Sequence, residues 1–245
     1  TFNNNECKLL GRIHTPNTAE KAINIIKKEI ENFNIDLMFS LPKSTIDTLE
    51  FSLNKTIMYE PKHISCYSLT IEPDTPFYKK NVKKSESVED VKQYKHIINR
   101  LRKSGYNQYE ISSFSKSNYK CKHNQTYWNF NNYIGIGTGS HSLYQNKKYK
   151  KIENINAYIK NPKNNEITCT TTKDLIIENI IANLRQISGL KFKDYQKKYN
   201  LDFKSNYLKT ITLLTKNKLI KLNSSGIKLT KKGLYLLDDV CLSFL

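Results

Sequence analysis

The stretch CKHNQTYWNFNNYIGIGTGSHS, residues 121–142, concentrates chemically capable side chains in a single connection. It holds the only Trp of the chain, two of its five His and three of its eight Gly. The imidazole of His123 has the chemistry of an axial ligand for heme iron, and the rings of Tyr127 and Trp128 could stack on a porphyrin face. A lone His is more often a polar cap on a loop, with nearby aromatic rings in the core, and composition alone favours that structural role.

The second half of this stretch is the glycine-rich segment 135–140. Glycine lacks the Cβ atom that would collide with a ribose or a phosphate, so this segment could end a strand where the backbone approaches a ligand closely. It is neither a P-loop, because no Gly-Lys-Ser/Thr follows it, nor a GxGxxG dinucleotide motif. A tight turn is the more frequent explanation for such a spacing.

Two further side chains have chemistry suited to a small-molecule ligand. Arg12, in LGRIH, could pair with a carboxylate, and Asp36, in NIDLMF, could accept hydrogen bonds from ribose hydroxyls. Each has an ordinary alternative, since Arg12 could be a surface cation and Asp36 a buried, hydrogen-bonded acid. Because Asp36 interrupts an otherwise apolar run, we expect it to have a specific partner.

The overall composition predicts a folded protein of one or two domains. The chain has 245 residues, 38% of them hydrophobic, with 16 Tyr and 10 Phe that supply bulky apolar surface. No segment is long and apolar enough to span a bilayer, and the first residues lack a signal-peptide pattern, which predicts a cytoplasmic location. The formal net charge of +18 could indicate nucleic-acid binding, but the lysines are spread along the whole chain, which favours a solvated basic surface.

The cysteines are five in number and widely spaced, namely Cys7, Cys66, Cys121, Cys169 and Cys241. They form no CxxC pair, which argues against a disulfide framework and against a zinc or iron–sulfur site of this chain alone. The sequence therefore predicts no metal cage built from its own cysteines.

Helices and strands alternate in the N-terminal half of the sequence. The predicted elements are, in chain order, helix 17–33, opened by a capping box at 17–20, strand 34–42, helix 44–58, strand 63–71, helix 87–104 and strand 106–114. This order at this spacing is typical of βαβ units, so the sequence predicts a parallel sheet.

After Ile152 the pattern changes. Three helices are predicted, at about 173–187, 192–199 and 205–217. They lead into LIKLN and IKLT on either side of the turn SSG, and helices followed by a tight hairpin are typical of a winged-helix arrangement. The sequence thus predicts two domains, residues 1–152 and residues 170–245.

Five motifs carry a resemblance to a known family. The chain contains, in this order, LGRIH, IDLMFSLP, HISCYSLTIEPDTPF, GYNQYEISSF and KCKHNQTYWNFNNYIGIGTGSHS. Together they resemble the radical S-adenosylmethionine family of HemW-type heme chaperones, also described as oxygen-independent coproporphyrinogen III oxidase-like proteins. The C-terminal region with its LTKKG is similar to the accessory domain of that family. The resemblance implies an α/β fold, in which a partial TIM-like barrel of βα units precedes a small helical, winged-helix-like domain.

The resemblance also implies roles for individual residues. Three residues would contact or lie near S-adenosylmethionine: Arg12, Asp36 and, near a second molecule of it, His141. Three would serve heme binding, namely His123, which would ligate the iron, with Tyr127 and Trp128 beside it. The glycine-rich segment would form the last ligand-facing strand of the barrel.

The iron–sulfur chemistry of the family is expected to lie outside this chain. The CxxxCxxC loop that holds the [4Fe-4S] cluster, and the GGT segment that binds the methionine amino group, would precede Thr1. Radical chemistry needs electron delivery from that cluster, so the chain alone is expected to be inactive as a radical enzyme and to supply no catalytic residue.

The leading hypothesis is a heme-binding chaperone that delivers heme to hemoproteins, with membrane-associated respiratory enzymes among the recipients considered. The alternative within the family is an oxygen-independent coproporphyrinogen III oxidase of porphyrin biosynthesis. The HNxxYW motif favours the chaperone, because a heme-ligating His has no evident purpose in that decarboxylation. The alternative from another class is a nucleic-acid-binding winged-helix module, whose candidate helix NYLKTITLLTKNKL has lysines but no Arg. A homodimer is also left open.

Overall fold

The computed structural model describes residues 1–83, 87–163, 165–168 and 171–245, and these form two compact units. The first unit is Thr1–Lys120 and the second is Cys121–Leu245. The predicted boundary after Ile152 differs from this division. Residues 121–152 belong to the second unit because they pack with the helices that follow them in the chain. Asn164, between the two predicted domains, and Cys169 lie outside the described residues.

The first unit combines helices with one four-stranded sheet. Its elements are α1 (Asn4–Leu9), α2 (Pro16–Glu29), β1 (Asn34–Phe39), α3 (Ile46–Met58), β2 (His63–Ser68), α4 (Pro76–Lys79), α5 (Ser87–Lys103), β3 (Asn107–Gln108) and β4 (Ser113–Ser115). The strand order is β1-β2-β4-β3, with β1 and β2 parallel and β4 antiparallel to both of its neighbours.

The predicted parallel sheet is therefore confirmed for β1 and β2 but is wrong for the strand predicted at 106–114. That segment folds back on itself as two short antiparallel strands. The Tyr109 N–H donates to the Ser113 carbonyl at 3.2 Å, which closes the turn between them. The aromatic residues of the segment, Tyr106, Tyr109 and Phe114, suit a strand of either direction, so composition alone could not separate the two outcomes.

Strand β1 divides its side chains between two environments. Ile35, Leu37 and Phe39 are buried, and Phe39 stacks on Tyr94 of α5 with ring centroids 6.0 Å apart. Asp36, between them, is exposed. Because alternate side chains of a strand point to opposite faces, β1 closes the core with one face and offers a polar face with the other.

Helix starts are shifted slightly from their predicted positions. Helix α2 is capped by Thr15, whose side chain and that of Thr18 form a reciprocal capping box, so the box predicted at 17–20 is wrong by a few residues. Pro16 at the first helical position suits this start, because its missing N–H would have no partner there. The helix also ends at Glu29, before the predicted Phe33. Helix α5 begins at Ser87, as predicted, and residues 84–86 before it lie outside the described part.

The second unit contains two antiparallel sheets and most of the shorter helices. Its elements are α6 (Lys122–Trp128), β5 (His141–Tyr144), β6 (Lys147–Lys151), α7 (Ile155–Lys160), β7 (Asn165–Thr168), α8 (Thr172–Leu184), β8 (Leu190–Lys191), α9 (Phe192–Tyr199), α10 (Phe203–Asn206), α11 (Leu208–Lys216), β9 (Ile220–Leu222), β10 (Gly226–Leu229), α12 (Lys231–Tyr235) and α13 (Leu237–Leu242). One sheet has the order β5-β6-β7 and the other β8-β10-β9. None of the described helices combines the length and the apolar character needed to cross a membrane.

The predicted helices and hairpin of the C-terminal region are confirmed. Strands β9 and β10 pair around the predicted turn, and β8 adds a third strand on the other side of β10. The arrangement of α8, α9 and α11 with this small sheet has the order of a winged helix.

A glycine makes the pairing of β8 with β10 sterically feasible. Gly189 has a φ of 73°, and a Cβ atom at this position would collide with the carbonyl oxygen of Ile227. Gly139, also in the second unit, has a similar φ of 66°, but its Cβ would meet only the Glu153 side chain at an ordinary 3.7 Å.

Alanine substitutions at these two glycines separate the effect of backbone strain from the effect of close approach between strands. Because both glycines have positive φ, Gly189→Ala and Gly139→Ala share the conformational cost, and only the first also forces two strands apart. We expect Gly189→Ala to lower the free energy of unfolding by about 1–3 kcal/mol more than Gly139→Ala, as measured by urea denaturation. Equal losses would show that the strand pairing tolerates a side chain at Gly189.

Candidate functional site

A cavity of about 600 Å³ lies beside β1 in the first unit. Arg12, Asp36 and Met38 line it, together with Ala22 and Ile23 of α2. This volume falls in the range of about 300–1,000 Å³ that is common for small-molecule sites. The structure therefore brings Arg12 and Asp36, both predicted as ligand contacts, to one cavity.

Arg12 reaches this cavity from the end of α1. Gly11, with a φ of 64°, follows the helix, and the Arg12 N–H then donates to the Cys7 carbonyl at 3.0 Å. The guanidinium Nη2 lies 3.5 Å from the Met38 sulfur. Among the described residues Arg12 forms no ion pair, so its fork of N–H donors is available to a carboxylate.

A chain of hydrogen bonds fixes the position of Asp36. Asn34 Nδ2 donates to Asp36 Oδ1 at 2.6 Å, which sets the orientation of the Asn34 amide. The Asn34 Oδ1 then accepts from His63 Nδ1 at 2.7 Å and from the Ser65 hydroxyl at 3.2 Å. Since an amide oxygen only accepts, His63 carries its proton on Nδ1, and Nε2 accepts from the Tyr109 hydroxyl at 2.7 Å.

His63 is the central member of this chain. It is buried, and burial lowers its pKa, with the negative charge of Asp36 opposing this effect to a smaller extent. Asn34 and His63 are paired at the starts of the two parallel strands. Asn34, His63 and Tyr109 are not among the predicted site residues, although the period-two alternation of polar with apolar residues in NIDLMF and HISCYS is a signal for the first two.

The buried imidazole makes stability depend on pH. Because the pKa of His63 is lowered by folding, the unfolded chain takes up a proton near the ordinary value of 6.5 that the folded chain resists. This contribution to the free energy of unfolding is complete above pH 6.5 and is lost as the pH falls below it. His63→Gln should remove this pH dependence. It should also lower the free energy of unfolding by roughly 1–3 kcal/mol at pH 7.5, because Asn34 and Tyr109 lose their hydrogen bonds to the imidazole.

Urea midpoints at pH 7.5 and pH 5.5 measure this effect, with His14→Gln as the control at an exposed histidine of the same unit. If His63→Gln loses as much stability between the two pH values as the wild type does, His63 is not the group responsible.

The heme motif forms helix α6 of the second unit, and His123 and Tyr127 share one of its faces. The Tyr127 hydroxyl lies 3.1 Å from His123 Nε2, and the two rings meet edge to face with centroids 4.9 Å apart. His123 is exposed and Tyr127 is half-buried. The other ring nitrogen of His123, Nδ1, has no partner among the described residues. One hydrogen-bonded nitrogen and one available nitrogen are what an imidazole ligand of iron requires.

Trp128 has a different environment. The Arg185 guanidinium lies over its ring at 4.5 Å from the centroid, and Gln186 Nε2 donates to its carbonyl at 3.0 Å. The ring also packs against a buried cluster of the second unit: Phe130, Leu143, Leu175 and Ala182. The structure thus brings His123 and Tyr127 together on a surface and places Trp128 against the core, so contact between Trp128 and heme stays a prediction.

The space beside these rings is too small to enclose a porphyrin. The cavity lined by Tyr127, Trp128, Tyr133 and Glu178 measures about 220 Å³, below the usual range for ligand pockets. A porphyrin bound at His123 would therefore lie against the exposed face of α6. The residues present fit this surface mode of binding.

The glycine-rich segment is not a strand, so the predicted ligand-facing barrel strand is wrong. A turn forms at Gly137, whose carbonyl accepts from the Ser140 N–H at 3.4 Å, as the simpler interpretation predicted. The close backbone approach does occur, but to the chain itself, because a Cβ at Gly135 would collide with the carbonyl oxygen of His141. His141 is exposed at the start of β5, where it pairs with Lys150, and its role beside S-adenosylmethionine stays a prediction.

The described donors do not fit an iron–sulfur cluster. In the part of the chain that the structure describes, no group of three His, Cys, Asp or Glu side chains is placed to hold a metal ion, whereas a [4Fe-4S] cluster needs grouped thiolates. Burial raises the pKa of the Cys66 thiol, and it raises that of Cys241 to about 11, which disfavours the thiolate form. No step through a cluster is assigned to these residues.

Comparisons with known proteins agree on the kind of protein that the chain resembles. Residues 170–236 match the family described as the HemN C-terminal domain. The chain is 34% identical over 250 residues to "Heme chaperone HemW" of Buchnera aphidicola subsp. Acyrthosiphon pisum, a match that covers 100% of this chain and 66% of that protein. It is 31% identical over 253 residues to "Heme chaperone HemW" of Lactococcus lactis, with 100% and 67% covered. The chain spans about two thirds of the length of these curated relatives.

A solved structure shares the fold. The coproporphyrinogen III oxidase HemN of Escherichia coli, described as a radical SAM enzyme, superposes with a TM-score of 0.79 and 19% sequence identity. The match covers 99% of this chain and 62% of that one. It confirms the predicted α/β fold, and at this identity it bears on the fold alone.

Proposed function

The chain belongs to the HemW family of heme chaperones, and from this premise we propose that it forms the heme-binding part of a protein that delivers heme to other proteins. The observation that carries the proposal is the pair of His123 and Tyr127 on one exposed face of α6. The hydrogen bond on Nε2 orients the imidazole, and Nδ1 is then the nitrogen that can ligate iron.

An exposed iron-ligating side chain suits heme that is carried as cargo better than heme that is retained as a cofactor. A heme bound against the surface at His123 keeps its second face accessible, so a recipient protein can approach it without unfolding a closed pocket. The edge-to-face contact of Tyr127 with Tyr133, at 4.6 Å between ring centroids, extends the aromatic surface beside the imidazole. Aromatic rings of this kind provide apolar contact area for a porphyrin.

The cavity of the first unit supports a second part of the proposal, in which the intact protein uses S-adenosylmethionine. The Arg12 guanidinium is suited to the carboxylate of its methionine portion and the Asp36 carboxylate to its ribose hydroxyls. When this cofactor binds beside a [4Fe-4S] cluster, the pair supplies radical chemistry. The residues of this chain bind and orient, and Asn34 holds the acceptor oxygen of Asp36 in place.

Neither alternative function gains support from a particular residue. The coproporphyrinogen III oxidase of similar fold is 19% identical to this chain, whereas the chaperone of Buchnera aphidicola is 34% identical over a similar share of it. In the winged-helix-like region, the exposed side of α11 includes Leu208 and Leu213, which are 62% and 53% exposed, beside Lys209 and Lys216. Between Leu208 and Lys216, α11 carries no Arg, Asn or Gln, the side chains that most often read bases. The heme recipients, a homodimer and the cytoplasmic location stay predictions.

Removal of the His123 imidazole tests the heme proposal. We expect the wild-type chain to give a stoichiometric Soret shift on titration with heme, and His123→Ala to lose about tenfold or more in affinity, because the axial bond is lost. Tyr127→Phe should have a smaller effect in the same direction. His14→Ala, which removes an exposed imidazole of the other unit, is the matched control. Equal heme affinity for His123→Ala and wild type would overturn the proposal.

Asp36 tests the cofactor proposal separately. Asp36→Asn replaces an oxygen that accepts with an amide group that donates, so S-adenosylmethionine should bind roughly tenfold more weakly in equilibrium dialysis. Asp47→Asn, at an exposed acid in the first turn of α3, should leave binding unchanged. If Asp36→Asn binds S-adenosylmethionine with wild-type affinity, Asp36 is not part of the binding site.

A further inference from the structure

The cavity beside β1 is backed by a chain of hydrogen bonds whose far members lie outside its wall. Asn34 and Asp36 line the cavity, whereas His63 and Tyr109 are not among the described residues that line it. His63 is only 6% exposed, and it pairs with Asn34 where β2 and β1 begin. A ligand in the cavity would therefore meet Asn34 and Asp36 but not the imidazole, and the proposed function gives His63 no role.

The Asp36 carboxylate has one oxygen engaged and one available. Its Oδ1 accepts from Asn34 Nδ2 at 2.6 Å, and Oδ2 has no hydrogen-bond partner in the part of the chain that the structure describes. Asp36 is exposed, and an exposed side chain loses conformational freedom when a ligand fixes it. The bond from Asn34 restricts the carboxylate before a ligand arrives, so less freedom is lost on binding.

The orientation of the Asn34 amide depends on the imidazole of His63. Asn34 Oδ1 accepts from His63 Nδ1 at 2.7 Å and from the Ser65 hydroxyl at 3.2 Å. The Ser65 hydroxyl can accept as well as donate, so it is compatible with either orientation of the amide. An imidazole with its proton on Nδ1 requires the amide oxygen, and this directs Asn34 Nδ2 to Asp36. With the proton on Nε2 instead, one of the two contacts of Asn34 would bring two acceptors together.

The surroundings of His63 favour the form with the proton on Nδ1. A neutral imidazole in water carries its proton mainly on Nε2, so this form needs a donor to Nε2. The Tyr109 hydroxyl is that donor at 2.7 Å, and the two rings meet edge to face with centroids 5.6 Å apart. Burial lowers the pKa of His63, which keeps the imidazole uncharged at neutral pH. Because His63 is buried and Asp36 is exposed, a mismatch at Asn34 would displace the carboxylate and leave the imidazole in place.

We propose that His63 is a positioning residue for the ligand of this cavity: its Nδ1–H fixes the Asn34 amide, which holds the Asp36 carboxylate ready for the ribose hydroxyls of the cofactor. The inference rests on the proposed function, because it assumes that S-adenosylmethionine binds at Asp36. His63 touches neither the cofactor nor a reacting atom. Its effect on binding therefore exists only while the Asp36 carboxylate is present.

A double-mutant cycle tests this dependence. The affinity of the 245-residue chain for S-adenosylmethionine is measured by equilibrium dialysis at pH 7.5 for the wild type, His63→Gln, Asp36→Asn and the double variant. The longer Gln side chain carries its amide toward the former position of Nε2, so Asn34 loses its donor. We expect His63→Gln to bind the cofactor about fivefold more weakly. In the Asp36→Asn background the same change should have no further effect.

A conservative variant should rescue binding. The amide nitrogen of Asn takes nearly the position of the Nδ1 atom of His, so His63→Asn keeps a donor for the Asn34 oxygen. We expect its affinity to lie within about twofold of the wild type. A loss in His63→Asn as large as that in His63→Gln would overturn the inference, because the donor at this position would then be irrelevant.

Tyr106→Phe is the matched control for lost stability. Tyr106 is buried in the same unit, and its hydroxyl donates to the Pro61 carbonyl at 2.8 Å. The variant loses a buried hydrogen bond outside the chain that leads to Asp36, so it should lower the urea midpoint and leave the cofactor affinity unchanged. Equal losses of affinity in Tyr106→Phe and His63→Gln would show that destabilisation weakens binding.

The protonated nitrogen of His63 can be identified without any ligand. Two-bond ¹H–¹⁵N NMR of the chain labelled in histidine distinguishes a protonated ring nitrogen from an unprotonated one, and His63→Gln identifies the signal. We expect a protonated Nδ1 and an unprotonated Nε2 at pH 7.5. The opposite form would overturn the inference, because Nδ1 could not donate to Asn34.

The binding results separate this inference from the cofactor proposal. If the wild type binds no S-adenosylmethionine, or Asp36→Asn binds it as the wild type does, the cofactor proposal fails and the inference fails with it. If Asp36→Asn loses affinity but His63→Gln does not, the cofactor proposal stands and His63 is not a positioning residue. The same conclusion follows if His63→Gln weakens binding equally with and without the Asp36 carboxylate.

Discussion

The contact of Trp128 with the region around the end of α8 is the interaction on which the presentation of His123 depends. Helix α6 has only seven residues and no side-chain hydrogen bond at its N-cap, so it would be marginal alone. The Arg185 guanidinium over the Trp128 ring and the Gln186 amide on its carbonyl fix its C-terminal end. The exposed face that carries His123 is then held by the partly buried Trp128 on another side of the helix, and the single Trp of the chain acts through packing as well as through any contact with a ligand.

In the first unit, too, the buried side of an element fixes the position of residues on its other side, which here face a candidate ligand. Burial of Ile35 and Leu37 fixes β1 against the core, and the intervening Asp36 points to the cavity side. The position of its carboxylate is then refined by neutral hydrogen-bonding groups, with Asn34 between Asp36 and His63. A neutral partner orients the carboxylate without neutralising it, which preserves its capacity to accept hydrogen bonds from a ligand.

The sequence correctly predicted those features of the structure that depend on local contacts. The spacing of His123 and Tyr127 placed both side chains in one motif, and the helix–hairpin order of the C-terminal region was visible from periodicity and turn residues. What failed depended on which partner the backbone of a segment meets. The glycine-rich segment was expected to approach a ligand, but Gly135 approaches the His141 backbone, and the strand direction of 113–115 is set by its pairing with β2. The composition of each segment does not identify its partner, because glycine permits close approach to a ligand or to backbone alike, and SFS suits a strand of either direction.

The central claim is that the His123 imidazole ligates the iron of bound heme, and spectroscopy of the ligand atom tests it most directly. The chain would be produced with ¹⁵N-labelled histidine, loaded with ferric heme, and examined by pulsed electron paramagnetic resonance for coupling of the iron to a labelled nitrogen. The account predicts a ¹⁵N coupling in the wild type and in His14→Ala that is absent from His123→Ala. The same coupling in His123→Ala, or no histidine coupling in the wild type, would contradict it.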